Sequence, residues 1–320
     1  HSMGLFQTKK FKLLIVFIIS LAAIVWIFQD NLLQTSFFRK PTLQKENIDV
    51  TNKDRAYIEK IDNFSINEYS DNEKIIYIIS ADQYYSYKNS PIELFKVRIR
   101  TFDDVQKEAA ILTSNKAQIL ETSEIIFNGK VNIETLNNML HELQSESITY
   151  KVNQGEISSN DNVIYQGISS IINSNGMLMS INDDKLLLID SVNIKEESGA
   201  EIETSNLTIN QSNGLKLYQS NEKTIYRSLD NKITTKSGVI IDMEKNLTNL
   251  LGKVEILKSS GTKIFTSDLI IDKSNSKEIF RTNQLSNYVS IQSNIKANQM
   301  YYDVLSEKID LSGGVVAIYE

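Results

Sequence analysis

The chain has 320 residues, 41% of them hydrophobic and 23% charged, with a formal net charge of −6. This acidic balance argues against a general nucleic-acid binder, which needs a basic face. With no cysteine, disulfides, zinc–thiolate sites and thiol nucleophiles are excluded too.

The length suits two modest domains or one long one, with enough chain to bury a real core. His1-Ser2 ahead of Met3 reads as a tag remnant and carries no argument. Residues 1–12 otherwise contribute Lys9, Lys10 and Lys12, which precede an apolar run from Leu13 to Phe28 closed by Gln29-Asp30. Two readings fit that run: a single membrane span, slightly short of the ~20 residues a bilayer asks for, or a signal peptide cut after Ala22-Ala23. Apolar chain continues past those alanines through Val25-Trp-Ile-Phe28, which favours an uncleaved anchor over 13–29. A buried soluble helix would carry a polar stripe. The lysines predict a cytoplasmic N-terminus, and Trp26 suits the far interface. Residues 30–62, with Pro41 and the polar stretch Gln44–Arg55, read as a tether, helical in part.

From Phe64 onward the chain alternates. Ile125, Phe127, Val131 and Ile133 fall on one face with Gly129, and Glu124, Asn128, Lys130, Asn132 and Glu134 on the other. Period two predicts a strand with one buried and one wet face. The same pattern holds for Leu250, Gly252, Val254 and Ile256, and for Ile309, Leu311, Gly313 and Val315. Turn signals recur between the runs. Thr135–Leu143 is compatible with a short helix or a hairpin loop. His141, within the polar stretch Asn138–Glu142, reads as a solvated residue, because acid–base and metal sites need a convergent constellation.

The strand–turn–strand unit repeats. Lys232–Leu257 is echoed by Met300–Val315: Asp242 maps to Asp303 and Gly252 to Gly313, both at an offset of about 61 residues. A second pair lies about twice as far apart, Ser145–Lys151 closing at Glu156-Ile157 and Ser267–Lys273 closing at Glu278-Ile279. Leu186–Ile194 is a degenerate copy with Asp190 in the glycine position. A glycine at the same place in successive strands predicts a regular bend. The connections are too short for crossover helices, so pairing should be antiparallel. Two curved sheets in a sandwich-like or roll-like arrangement fit best, with a parallel β-helix as the structural runner-up.

This order of features resembles the LptC and LptA/OstA families of periplasmic lipopolysaccharide-transport proteins. An LptC-type module is similar to the stretch from the anchor to about Ile194, through Ile125–Ile133, Ser145–Lys151, Gly176-Met177 and Leu186–Ile194. An LptA/OstA-type module is similar to about Glu201 onward, through Thr234–Ile256, Thr266–Lys273 and Ala297–Val315. Two departures stand out. Anchored members typically carry one module rather than two, and Asn63–Val105, with Ser80-Ala-Asp-Gln-Tyr-Tyr-Ser86, matches loosely.

The resemblance implies an all-β protein: an open, V-shaped antiparallel β-jellyroll in two stacked modules, 63–198 and 199–320, behind one transmembrane helix. It implies a single-pass inner-membrane protein with its body in the periplasm. Lipopolysaccharide would be received from the membrane subunits of an ABC transporter. Edge-strand pairing, by Asp310–Tyr319 in particular, would join it to a further periplasmic jellyroll or outer-membrane component. The expected groove-lining residues are Phe127, Val131, Ile148, Tyr150, Val254, Ile256, Leu269, Ile271, Leu311 and Val315. No cofactor, metal or nucleic acid is expected, and no catalysis. No Gly-x-Ser-x-Gly, P-loop or His-Glu-x-x-His motif occurs. Asp103-Asp104, Asp183-Asp184 and Glu196-Glu197 read as surface charges. The rival expectation is an anchored structural or adhesive β-repeat protein with a filled core.

Overall fold

The computed structural model describes residues 57–319 apart from positions 71, 89–90, 104, 137–140, 168, 181–184, 211–216 and 276. The anchor segment 13–29, the residues before it and the tether up to residue 56 lie outside the described residues, as do Asp104 and Asp183-Asp184. The body forms two compact units, one ending at Asp161 and one beginning at Asn162.

The first unit is a meander. Its strands are β1 (Tyr57–Tyr69), β2 (Ile75–Tyr87), β3 (Ile92–Phe102), β4 (Glu108–Ile119), β5 (Glu124–Thr135), β6 (His141–Lys151) and β7 (Glu156–Ser159). Each pairs with the next, antiparallel. β1 takes in residues 57–62 of the tether segment. Thr135 pairs with His141 in register, so β5 and β6 form an antiparallel hairpin whose residues 137–140 lie outside the described residues. Among the described residues the single helical element is a 3-10 turn at Val152–Gln154.

The second unit contains β8 (Val163–Gln166), β9 (Ser170–Ser180), β10 (Lys185–Glu196), β11 (Glu201–Asn210), β12 (Leu217–Ser220), β13 (Thr224–Ser228), β14 (Asn231–Thr235) and β15 (Val239–Asp242). It continues with β16 (Leu247–Lys258), β17 (Lys263–Asp272), β18 (Ile279–Thr282), β19 (Ser286–Val289), β20 (Ser293–Ala297), β21 (Gln299–Asp303), β22 (Lys308–Ser312) and β23 (Val316–Tyr319). β9, β10 and β11 pair consecutively, so the ladder runs unbroken past residues 198 and 199.

From β11 onward the pairing forks. The end of β11 pairs with β12, and its start with β13. One ladder runs β12–β15–β16 and, through β17, on to β18–β21–β22. The other runs β13–β14–β16 and, again through β17, on to β19–β20–β23. The long strands β11, β16 and β17 therefore belong to both ladders. This is an antiparallel jellyroll, with the apolar interior between the two ladders.

A long strand can serve both ladders only if it turns the corner, and the repeat encodes that corner. Gly129, Asp190, Gly252 and Gly313 recur every 61 or so residues and all have positive φ, +76°, +59°, +64° and +77°. At the first three the register slips by a β-bulge, which bends the strand and strengthens its twist. A Cβ on Gly252 would lie 2.4 Å from Ser237 Oγ, so both space and φ call for glycine. Asp190 fills the same place because short polar side chains tolerate the left-handed region. The bulge is tied to the next strand: Asp190 N–H donates to Asn206 Oδ1 at 3.0 Å, and one repeat later Gly252 N–H donates to Asp268 Oδ1 at 2.8 Å. Asn206 and Asp268 themselves have φ of +49°.

The bend changes which residues face inward. On the bulged strands buried positions skip four, as in Phe127 to Val131 and Leu250 to Val254, whereas on β11 and β17 they skip three, as in Thr204 to Leu207 and Thr266 to Leu269. Where strands break instead of bending, a hydroxyl makes the corner. Ser159, Ser220 and Thr282 each accept the N–H two residues on at 3.1 Å, within Ser159-Asn-Asp, Ser220-Asn-Glu and Thr282-Asn-Gln. This is a local side-chain turn.

Candidate functional site

The interior collects most of the sequence-predicted residues. In the first unit Phe127 faces Ile148 in register and Ile125 faces Tyr150, and Phe127, Val131, Ile148 and Tyr150 are all buried. In the second, Ile256 sits between Ile233 and Ile264, Leu250 faces Leu269, and Thr248 faces Ile271. Val254, Ile256, Leu269 and Ile271 are buried. Leu311 is half-buried opposite Met300. Val315 is 51% exposed; among the described residues β23, which follows it, pairs with β20 alone. β22, among the same residues, pairs with β21 alone. Burying such side chains stabilises the roll at roughly 25 cal/mol per Å² of apolar surface.

The mouth of the second unit, where the ladders end farthest from the bend, is polar and aromatic. Tyr226 and Ser228 at the end of β13 both donate to the Glu278 carboxylate, just ahead of β18 in the opposite ladder. Phe280 stands edge-on to Tyr226 at 6.4 Å and to Tyr302 at 5.5 Å between ring centroids. Lys273 pairs with Glu196 and lies 5.0 Å from the Tyr226 ring centroid. Lys258 lies 4.8 Å from that of Tyr302. Glu196 is thus a half-buried partner inside this cluster, not the surface charge its place beside Glu197 suggested.

Burial raises the Tyr226 phenol well above its ordinary value, and the neighbouring Glu278 charge adds to it. Burial also pushes Tyr150 and Tyr218 up to about 12, with the hydrogen bond from Tyr165 to Tyr218 acting in the other direction. All of these phenols are held neutral, and Tyr226 donates to Glu278. Sequence reading missed this cluster. The signal available was the offset of about 122 residues that places Lys273 and Glu278 over Lys151 and Glu156.

Elsewhere the first unit has a polar concavity at its bend, lined by Asp62, Asn63, Asp82, Gln83, Phe95, Lys96 and Asn115, with Lys96 and Asp82 paired at 2.8 Å. Among the described residues no group of His, Asp or Glu is placed to hold a metal ion, and no helix is long and apolar enough to cross a membrane.

What such a roll offers chemically is an apolar interior with a polar and aromatic rim in the second unit. The family model described as "Lipopolysaccharide-assembly, LptC-related" matches residues 13–197, more than half the chain. The chain belongs to the LptC-related family. The match begins where the apolar run begins and ends close to Ile194, where the sequence resemblance to LptC also ends. Membership assigns this LptC-related chain to lipopolysaccharide transport in the periplasm, in company with lipopolysaccharide and the transport machinery, and to a transport family rather than an enzymatic one. Among curated proteins no match was found.

Proposed function

We propose that this LptC-related chain is an inner-membrane-anchored bridge that binds lipopolysaccharide acyl chains in the apolar interior of its rolls and passes lipid towards the outer membrane. The carrying observation is the pair of ladders joined by bent strands, which sets one apolar face against another across an interior. Residues 13–29 are the anchor in this reading, with the body in the periplasm. Residues 63–198 act as the LptC-like module and 199–320 as an LptA/OstA-like extension. Phe127, Val131, Ile148, Tyr150, Val254, Ile256, Leu269, Ile271 and Leu311 contact acyl chains. The exposed edges β22 and β23 add a strand to the next periplasmic jellyroll or outer-membrane component, and the anchor end meets the membrane subunits of the ABC transporter.

A second reading is favoured by one observation: Ile233, Ile256, Ile264, Leu269 and Ile271 are all 0% exposed, as in a filled structural core. Photo-crosslinking separates the two. A photoreactive residue at Ile256 or Phe127 is expected to capture lipopolysaccharide in cells, and one at outward-facing Lys253 is not. Absence of adducts at every inward position would leave the filled-core reading standing alone.

A further inference from the structure

The resemblance implies an open mouth, yet the two ladders of the second unit touch along theirs. Tyr226 and Ser228 reach across to Glu278, Phe280 meets Tyr226, and Lys258 covers Tyr302. One repeat earlier Tyr165 of β8 and Tyr218 of β12 hydrogen-bond each other. They precede Tyr226 and Phe280 by about 61 residues. The seam therefore follows the repeat and runs along one line.

Its chemistry is unlike that of the interior behind it. A permanent closure is best made of apolar side chains, because hydrogen-bonded charges in low-dielectric surroundings roughly break even against their desolvation. This seam is instead held by a carboxylate, hydroxyls and cations over rings. Asn231, on the same lip, faces Ser228 on one side and Lys258 on the other in register. It is 3% exposed, and both polar atoms of its side chain are buried without a partner. Buried polar groups are nearly always satisfied. An amide left unpaired beside a breakable carboxylate clasp suits a lip that meets polar partners when the clasp is open.

We propose that the seam is a lateral port: the lips part at Glu278 so that acyl chains enter the interior sideways, while the polar headgroup stays at the lip beside Lys258, Asn231 and Ser228. Glu278 is the positioning residue that holds the port shut. This rests on the reading that the interior carries acyl chains.

The chain has no native cysteine, so the lips can be tied selectively. In the full chain, Ser228→Cys with Glu278→Cys is bridged by a short reducible bis-methanethiosulfonate linker, and capture of lipopolysaccharide at a photoreactive Ile256 is read. The tied protein is expected to lose about tenfold or more of its capture, and reductant restores it. A matched tie within one ladder, Arg227→Cys with Lys232→Cys, joins outward-facing partners and leaves capture unchanged. Equal capture in tied and reduced protein overturns the port and leaves the interior reading intact. No capture in the unsubstituted chain overturns the interior reading itself. Should the cysteine pair fail to fold, Glu278→Gln keeps the side-chain volume with a weaker acceptor. It is expected to load several-fold faster, and an unchanged loading rate overturns the port.

Discussion

The same repeat position holds a lysine and a glutamate in both units, and the two units use the pair differently. In the first, Lys151 and Glu156 close on each other at 2.9 Å, both about one-third exposed. In the second, Lys273 turns to Glu196 and the Tyr226 ring, while Glu278 takes hydrogen bonds from Tyr226 and Ser228 in the opposite ladder. A local surface pair has become a cross-ladder clasp. The difference follows from the strands beside it. The first unit is built of long strands of 11–13 residues up to β6, whereas in the second the forked ladders bring the ends of short strands together.

The sharpest way to break this comparison is to delete the two carboxylates. Glu278→Ala leaves two buried hydroxyl donors without an acceptor and should cost about 3 kcal/mol. Glu156→Ala removes a solvent-screened pair and should cost about 0.5 kcal/mol or less. Urea unfolding of both variants reads the difference, and equal losses would mean that the clasp is no more than another surface pair. Next in size is the bend. Gly252→Ala forces a Cβ into Ser237 at positive φ and is expected to cost about 2 kcal/mol. Asp190→Gly, at the same place one repeat earlier, should be within about 0.5 kcal/mol of neutral by the same measurement. A smaller effect belongs to the corner hydroxyls: Thr282→Val loses the bond to Ser267 O at 2.8 Å and should cost about 1 kcal/mol.

The least effect at neutral pH comes from the buried phenol of the first unit. Tyr150 is raised by burial from 10 to about 12. A raised phenol contributes stability that is fully present below pH 10 and is lost as pH climbs towards 12. Thermal unfolding of Tyr150→Phe should therefore track the wild type below pH 10 and fall less steeply above it. Parallel curves through the alkaline range would contradict the burial of that hydroxyl.

The sequence carried the all-β class, the antiparallel pairing and the bend because each had a local mark. Gly129 and Gly252 stand out in strands that otherwise favour branched residues, and Gly313 at the break between β22 and β23. The alternation on β5 and β16 stays in phase across the bulge. The rest was masked by ordinary residues. Asn206 and Asp268 take positive φ in strands whose inward pattern skips three, which looks like broken periodicity rather than a bend. The Ser-Asn-Asp, Ser-Asn-Glu and Thr-Asn-Gln corners use residues common in any turn, and only their spacing marks them. The interior was legible as a face, through Ile256 and Leu269, and Val315 fell outside it, just ahead of β23, which among the described residues pairs with β20 alone. For the clasp, the offset of about 122 residues marked Lys273 and Glu278 but not their partners. Tyr226 and Glu278 are 52 residues apart, and their meeting depends on how the forked ladders converge.

Deuterium exchange of the full chain with and without lipopolysaccharide tests the account most directly. The prediction is slower exchange along the inward-facing strands of both units, β5 and β6 as well as β16 and β17, where lipid shields the ladders, and faster exchange in β13 and β18 alone as the Glu278 clasp opens, with no such opening at the Lys151–Glu156 hairpin. The same opening at the Lys151–Glu156 hairpin, or no slowing in β16 and β17, would contradict it.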